Sequence, residues 1–333
     1  QYRALGQYVQ VFLVHISSFV KPRFITLISE VWSMISISRL KRGIKHPALI
    51  GRYFNRLYHT RFGRREYNRE GVDVFDEDWD NLIILDACRY ELVEEIADET
   101  RGELESRISR GSSTIEFLRG NFKHRSLEDV VYVSANPHIA GYGDELDVDL
   151  HHLEKVWGGE SWNSVHDTVM PEKVEEKALK AAEDFGDKRI VVHFMQLHYP
   201  FLYEGENEIE PGISNIWHKV MRGEIELSEE KAWGGYRETF KKAWKSVEKL
   251  VEELEGKTVV TADHGNIYNE RTSPIPVKDW GHPIGIYSEK LVKVPWLVFE
   301  GERRDIKKGE VGEREDVDEE EIKEKLGKLG YGE

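Results

Sequence analysis

Apolar residues along this chain come in two rhythms. Short unbroken runs occur at Asn81-Leu-Ile-Ile-Leu-Asp86, Val130-Val-Tyr-Val-Ser134, Arg189-Ile-Val-Val-His-Phe194, Lys257-Thr-Val-Val-Thr261 and Leu291-Val-Lys-Val-Pro-Trp-Leu-Val-Phe299. These runs are rich in β-branched residues and too short for helices, so they predict strands buried on both faces. The third continues as Met195-Gln-Leu-His198 and is expected to end at that histidine. Between the runs, helical spacing predicts helices from Arg89 through Ala97, from Glu172 to Phe185, from Tyr236 to Leu254 and from Glu319 to Leu329. Residues 140–170, 205–235 and 272–283 read as loops. Strands alternating with helices imply an α/β fold: a three-layer α/β/α sandwich around a mostly parallel sheet.

The first part of the chain differs in texture. Residues 1–43 are apolar and almost free of acid, but Gln10, His15 and Glu30 interrupt them. Neither apolar run therefore reaches the roughly 18 residues that a spanning helix needs. No small-residue cleavage site follows a short apolar core, so no secretory signal is read. Two short interfacial helices with Lys21, Arg23, Arg39, Lys41, Arg42 and Lys45 at their ends fit the pattern, as does a helical hairpin packed on the body or on a partner chain. Residues 46–70 read as a basic, aromatic-rich linker helix and loop. The expected division is a helical N-terminal extension, 1–70, and a catalytic domain, 71–333.

Charge sharpens that division. Residues 1–70 carry a net charge of +10, and residues 71–333 a net charge of −25. A basic leader on an acidic body points to an anionic partner for the leader, most simply a membrane surface, whereas the acidic body would repel nucleic acid. The expected location is cytoplasmic or peripheral to a membrane. The single cysteine, Cys88, excludes an internal disulfide framework and reads as a small buried hydrophobe.

Candidate chemistry gathers at strand ends. The run to Thr261 stops at Asp263-His264-Gly265, and the first strand stops at Asp86. In open α/β sheets, sites lie at the carboxyl ends of strands, and an adjacent Asp and His suit Zn²⁺ or Mn²⁺. The bland alternative for Asp-His-Gly is a turn with a capping Asp. Gly111-Ser-Ser-Thr114 precedes an apolar helix start, where hydroxyls are N-caps by default. His198 and His282 complete the group.

In order and context, Leu85-Asp86-Ala-Cys-Arg89, Gly111-Ser-Ser-Thr114-Ile-Glu-Phe-Leu, His193-Phe-Met-Gln-Leu-His198-Tyr-Pro-Phe, Thr261-Ala-Asp263-His264-Gly265, Gly281-His282 and Val294-Pro-Trp-Leu-Val resemble the alkaline phosphatase superfamily. The resemblance is to its sulfatase-like and lipoteichoic-acid-synthase-like branches. It covers about residues 72–332, including a tail, Leu326-Gly-Lys-Leu-Gly-Tyr331, similar to the family's last helix. It implies a metal-dependent phosphoester hydrolase or phosphotransferase. Asp86, Asp263 and His264 would hold one divalent ion, Zn or Mn, shared with Thr114 as the nucleophile. His198 and His282 would contact the transferred group or protonate the leaving oxygen. Arg89 would bind the anion or pair with an acid on the following helix.

Two departures shape that expectation. Two-metal members place an Asp four residues before the histidine matched by His198, and Phe194 stands there. A second metal is therefore doubtful; Gln196 or His193 are the nearby substitutes, and one ion with histidines in place of the other is favoured. Sulfatases proper need Cys-x-Pro-x-Arg, which Cys88-Arg-Tyr-Glu-Leu does not match. Phosphomonoester or phosphodiester chemistry is thus favoured over sulfate ester hydrolysis, the alternative beside a non-catalytic module with the same fold. The basic leader would bring the site near lipid-linked or polysaccharide substrates.

Overall fold

The computed structural model describes residues 46–203, 209–312 and 318–331. The interfacial helices expected within residues 1–43 lie outside the described residues. Of the unit formed by residues 1–50, the structure describes residues 46–50, where helix α1 (Pro47–His59) begins. From Gly51 onward the chain forms a second compact unit, residues 51–333. Within it, Arg52 pairs with the buried Asp279, and Asn55 Nδ2 donates to Thr272 Oγ1 at 2.9 Å.

A seven-stranded sheet organises the body. Its strands are β1 (Asn81–Leu85), β2 (Glu103–Ile108), β3 (Ser126–Ser134), β4 (Asp149–Lys155), β5 (Arg189–Phe194), β6 (Thr258–Thr261) and, last in the sheet, the strand Lys293–Phe299. Across the sheet the order is β2, Lys293–Phe299, β6, β1, β5, β3, β4. The pairs β6–β1, β1–β5, β5–β3 and β3–β4 are parallel, and Lys293–Phe299 runs antiparallel between β6 and β2. With its flanking helices this is the α/β/α sandwich with a mostly parallel sheet that the alternation predicted. Leu82, Ile83, Ile84 and Leu85 of the central strand are completely buried. Burying a side chain of this kind contributes about 1.5–3 kcal/mol.

The pattern missed both edges of the sheet. Strand β2 is Glu-Leu-Glu-Ser-Arg-Ile with its glutamates exposed, and β4 lies inside a stretch expected to be loop. Edge strands are half covered and often charged, so they lack the apolar run that marks a central strand. Three other expectations need correction. Strand β5 ends at Phe194, not His198, because the chain turns there: Leu197 N–H donates to the Asp86 carbonyl at 2.6 Å and His198 N–H to the Met195 carbonyl at 3.1 Å. The long helix runs Glu229–Glu253 rather than from Tyr236; Ser228 caps it by accepting from Lys231 N–H, and Gly235 lets Phe201 pack where a Cβ would stand 2.7 Å from the ring. The stretch before Gly281 holds a hairpin, β7 (Ile267–Arg271) and β8 (Lys278–Gly281).

Helix α2 (Tyr90–Glu94) follows β1, α3 (Thr114–Asn121) follows β2, and the short α4 (His138–Gly141) follows β3. Helix α5 (Pro171–Asp184) packs on β3 and β5 and against α6 (Glu229–Glu253). Helix α7 (Glu319–Lys328) packs on α4. No described helix is long and apolar enough to cross a membrane.

Candidate metal centre at the carboxyl edge of the sheet

Strand register brings the acids together. Ile84 of β1 is opposite Thr261 of β6, so Asp86 and Asp263, each two residues further on, come level on one face. Ile84 is also opposite His193 of β5, which adds an imidazole. Asp86, His193 and Asp263 are completely buried, and each offers a ligand atom within 4.8 Å of the other two. Among the described residues this is a group that can hold a metal ion.

The hydrogen bonds show which atoms are fixed and which are left over. Asp263 Oδ1 accepts from Ala87 N–H at 3.0 Å and from His264 N–H at 2.8 Å. Asp86 Oδ2 accepts from Asn136 Nδ2 at 2.7 Å, and His193 Nδ1 pairs with the Tyr132 hydroxyl at 2.6 Å. The remaining atoms, Asp86 Oδ1, Asp263 Oδ2 and His193 Nε2, have no hydrogen-bond partner. A buried polar atom left unpaired costs about 1–3 kcal/mol. Three such atoms converging, two of them carboxylate oxygens, fit a divalent cation, and mixed O and N donors suit Zn²⁺ or Mn²⁺.

His264 belongs to the same arrangement. Its Nδ1 lies 2.8 Å from the Gly265 carbonyl, which can only accept, so Nδ1 carries the hydrogen. Nε2 lies 3.4 Å from Asp263 Oδ2 and 3.6 Å from Asp86 Oδ1, and a nitrogen facing two carboxylates is favourable only with a proton or a cation between them. The turn that holds this pair is tightly built. Ala87 adopts φ 60°, a left-handed conformation costly for a non-glycine residue, and its carbonyl accepts from the Tyr236 hydroxyl at 2.6 Å. Gly265 is a glycine for space: a Cβ there would stand 2.1 Å from the Lys290 carbonyl oxygen.

Thr114 is the first residue of α3, with Oγ1 at 3.4 Å from both Asp86 Oδ2 and His264 Nε2. The N-terminus of a helix favours anions and an incipient alkoxide. Buried Glu116 fixes this turn to the loop after His282. Its carboxylate accepts from Ser112 Oγ at 2.7 Å, from Gly285 N–H at 3.2 Å and from the Tyr287 hydroxyl at 2.9 Å. His198 and His282 meet Nε2 to Nε2 at 2.7 Å, and the His282 ring stacks on His264 with centroids 4.8 Å apart. Arg89 points elsewhere: it pairs with Glu91 at 3.1 Å and Glu270 at 2.8 Å and lies 4.6 Å over the Trp233 ring. Phe194 is buried in the core.

Burial sets the charge states. It raises Asp86 well above the usual carboxylate range, helped by the neighbouring charge of Asp263. Burial also pushes Asp263 upward, but His264, His193 and the Ala87 N–H outweigh it, so Asp263 lies below its ordinary value. One carboxylate reluctant to ionise beside one that ionises readily describes a pair awaiting positive charge. Burial lowers His193 to about 4, and lowers His138 and His198 to about 3. It also holds His282 well below the ordinary imidazole value, with His198 and His264 acting in the same sense.

No protein-family model and no curated protein matches the chain. Among solved structures it is similar to the C-terminal periplasmic domain of EptC from Escherichia coli in complex with Zn, at 14% identity and TM-score 0.44, over 67% of this chain and 72% of that one. It is similar to the integral membrane protein lipooligosaccharide phosphoethanolamine transferase A from Neisseria meningitidis, at 13% identity and TM-score 0.46, over 66% of this chain but only 47% of that one. A protein in the alkaline phosphatase superfamily from Vibrio parahaemolyticus is matched at 11% identity and TM-score 0.36, over 75% of this chain and 66% of that one. At such identities, activity has to be read from this chain's own side chains.

The structure adds residues that the sequence pattern alone left aside. His193 entered only as a substitute ligand, and Asn136 and His138 were not among the candidates. His138 Nδ1 lies 2.8 Å from Asn136 Oδ1, so the two extend the Asp86 hydrogen bond outward. The signal was present: both come after a parallel strand, as Asp86 and Asp263 do.

Proposed function

We propose that this protein is a metal-dependent phosphoester hydrolase or phosphotransferase acting through a phosphothreonine at Thr114. One observation carries the reading: Thr114 Oγ1 stands 3.4 Å from Asp86 and His264, at the point where Asp86 Oδ1, Asp263 Oδ2 and His193 Nε2 converge unpartnered. Asp86, Asp263, His264 and His193 are the residues that would hold the ion. When bound, it supplies the positive charge that favours an ionised hydroxyl and offsets charge on the transferred group. Thr114 Oγ1 attacks phosphorus in line with the ester oxygen and releases its proton towards Asp86 Oδ2. The P–O bond to the leaving group breaks, and the leaving oxygen takes its proton from solvent water on the His198/His282 side, both rings being held neutral by burial. Water or an acceptor hydroxyl then attacks the phosphothreonine and restores Thr114.

Phosphate is favoured over sulfate because Cys88, the lone cysteine, is completely buried and stands in no sulfatase-type motif. The basic extension, residues 1–70, is proposed to meet an anionic membrane surface and bring residues 71–333 to a lipid-linked or polyanionic phosphoester. The test pairs elemental analysis of protein supplied with Zn or Mn with turnover of aryl phosphate mono- and diesters. Thr114→Ala is expected to keep the metal and lose turnover by at least about 10³-fold, consistent with removal of a nucleophile. Undiminished turnover in that variant, or loss in Ser113→Ala instead, overturns the assignment.

A further inference from the structure

Three histidine rings of the site share one neighbour that the chemistry above does not use. Tyr331, just after α7, stacks on His198 with centroids 4.6 Å apart and planes 15° apart. Its ring meets His138 edge-on at 4.3 Å and lies 5.7 Å from His282. The residue as a whole is part-exposed, yet its hydroxyl is buried and has no hydrogen-bond partner. The side chain therefore points from the surface inwards and ends in a donor with nothing to donate to. Burial, helped by the charge of Asp86, holds that phenol above its ordinary value, so it stays neutral.

The backbone around the ring fixes this pose. Tyr331 N–H donates to the Leu326 carbonyl at 2.9 Å, and the Gly330 carbonyl accepts from Asn215 N–H at 3.0 Å. Gly330 has φ +88°, and a Cβ there would meet Tyr199 Cδ1 at 3.2 Å. Behind it, Ile322 of α7 packs closely on α4, where a Cβ on Gly141 would lie 3.0 Å from Ile322 Cγ2. A buried, unpaired phenol is expensive, and the anchoring around it keeps it in place.

We propose that the Tyr331 hydroxyl is a hydrogen-bond donor to the group that Thr114 attacks, closing the site opposite the acidic cluster. The proposal rests on the phosphoester reading. It makes α7 and Tyr331 part of the active site rather than a brace on α4. A neutral phenol suits this position, since its proton binds a phosphoryl oxygen without adding charge next to Asp86 and Asp263.

Tyr331→Phe retains the ring against His198 and His138 and removes only the hydroxyl. In the metal-loaded protein, the dissociation constant for inorganic phosphate, measured by titration calorimetry, is expected to rise about 10- to 100-fold, as for one lost hydrogen bond to a charged group. The thermal unfolding midpoint without phosphate should be unchanged or higher. Gly330→Ala keeps the phenol but displaces it, and is expected to weaken phosphate binding in the same direction. Wild-type affinity in both variants overturns the proposal while leaving the phosphoester reading intact. So does tighter phosphate binding in Tyr331→Phe, which would make the tyrosine a plug. A wild-type protein that holds metal but binds no phosphate overturns the phosphoester reading, and the proposal with it.

Discussion

The Nε2 atoms of His198 and His282 lie 2.7 Å apart, so one of the two must carry a hydrogen and the other must not. The Tyr199 carbonyl decides which. It lies 2.5 Å from His198 Nδ1 and can only accept, so Nδ1 is protonated and a neutral His198 presents a bare Nε2. His282 then donates from Nε2 and is left with an unprotonated Nδ1, an atom that is buried and has no partner. With both rings neutral the pair can hydrogen-bond the leaving oxygen but not protonate it, so His198→Gln is expected to lower kcat for a phosphoester by about 10- to 100-fold, the worth of one hydrogen bond to a charged oxygen. The loss should shrink with an ester whose leaving group departs without a proton, such as a nitrophenol. An equal loss for good and poor leaving groups would remove the pair from leaving-group chemistry.

An ion held by Asp86 Oδ1, Asp263 Oδ2 and His193 Nε2, as proposed, would stabilise the fold as well as serve the chemistry. A ligand that binds only the folded state stabilises by mass action, about 2.7 kcal/mol at a hundred times its dissociation constant. Chelator treatment is therefore expected to lower the unfolding midpoint of the wild-type protein, and Zn or Mn to restore it. In His193→Gln the same titration should show at least about tenfold weaker metal binding. A chelator-insensitive midpoint in protein loaded with metal beforehand would count against the site.

Asn136 positions rather than reacts. Its amide donates to Asp86 Oδ2 at 2.7 Å while its carbonyl oxygen engages His138 at 2.8 Å. Asn136→Leu removes the donor and leaves Asp86 with one fewer bond to its charged form, so the carboxylate becomes still harder to ionise. Metal affinity is expected to fall about 10- to 100-fold, the usual cost of losing such a supporting bond. Raising the pH should recover part of it, because a higher pH restores the ionised acid. A loss that is the same at every pH would mean that Asn136 supports the fold and not the acid.

Much of this site was legible because central parallel strands announce themselves. Asn81–Leu85 and Thr258–Thr261 are unbroken apolar runs, and the residues just after each run lie at the sheet's carboxyl edge. Asp86, Asp263 and His264 were singled out as candidates in this way. His193 was harder because it sits within its strand and reads as part of the run Arg189–Phe194; only the register opposite Ile84 turns it towards the acids. Arg89 follows the second of its two readings: Glu91 on the following helix takes up its guanidinium, and Glu270 and Trp233, which no spacing rule brings near, join it. Tyr331 ends the tail that resembles the family's last helix, but its place beside His198 comes through α7 docking on α4, a tertiary contact that no sequence pattern shows.

The buried histidines also predict how the protein responds to acid. Burial lowers His138 and His198 to about 3, and unfolded histidines titrate near 6.5. Between those values the unfolded chain binds protons that the folded one refuses, so stability falls as pH falls. The stability from keeping these rings neutral is fully present above about pH 6.5 and is lost progressively towards pH 3. Denaturant titrations at pH 7.5 and 5 should show a lower midpoint at the acid value. Replacing His138 by Gln, which removes one titrating ring, should flatten that dependence by up to about 1.4 kcal/mol per pH unit, the slope for one proton. A His138→Gln variant with an unchanged slope over this range would show that the ring is already protonated in the fold, or that it is reached by water.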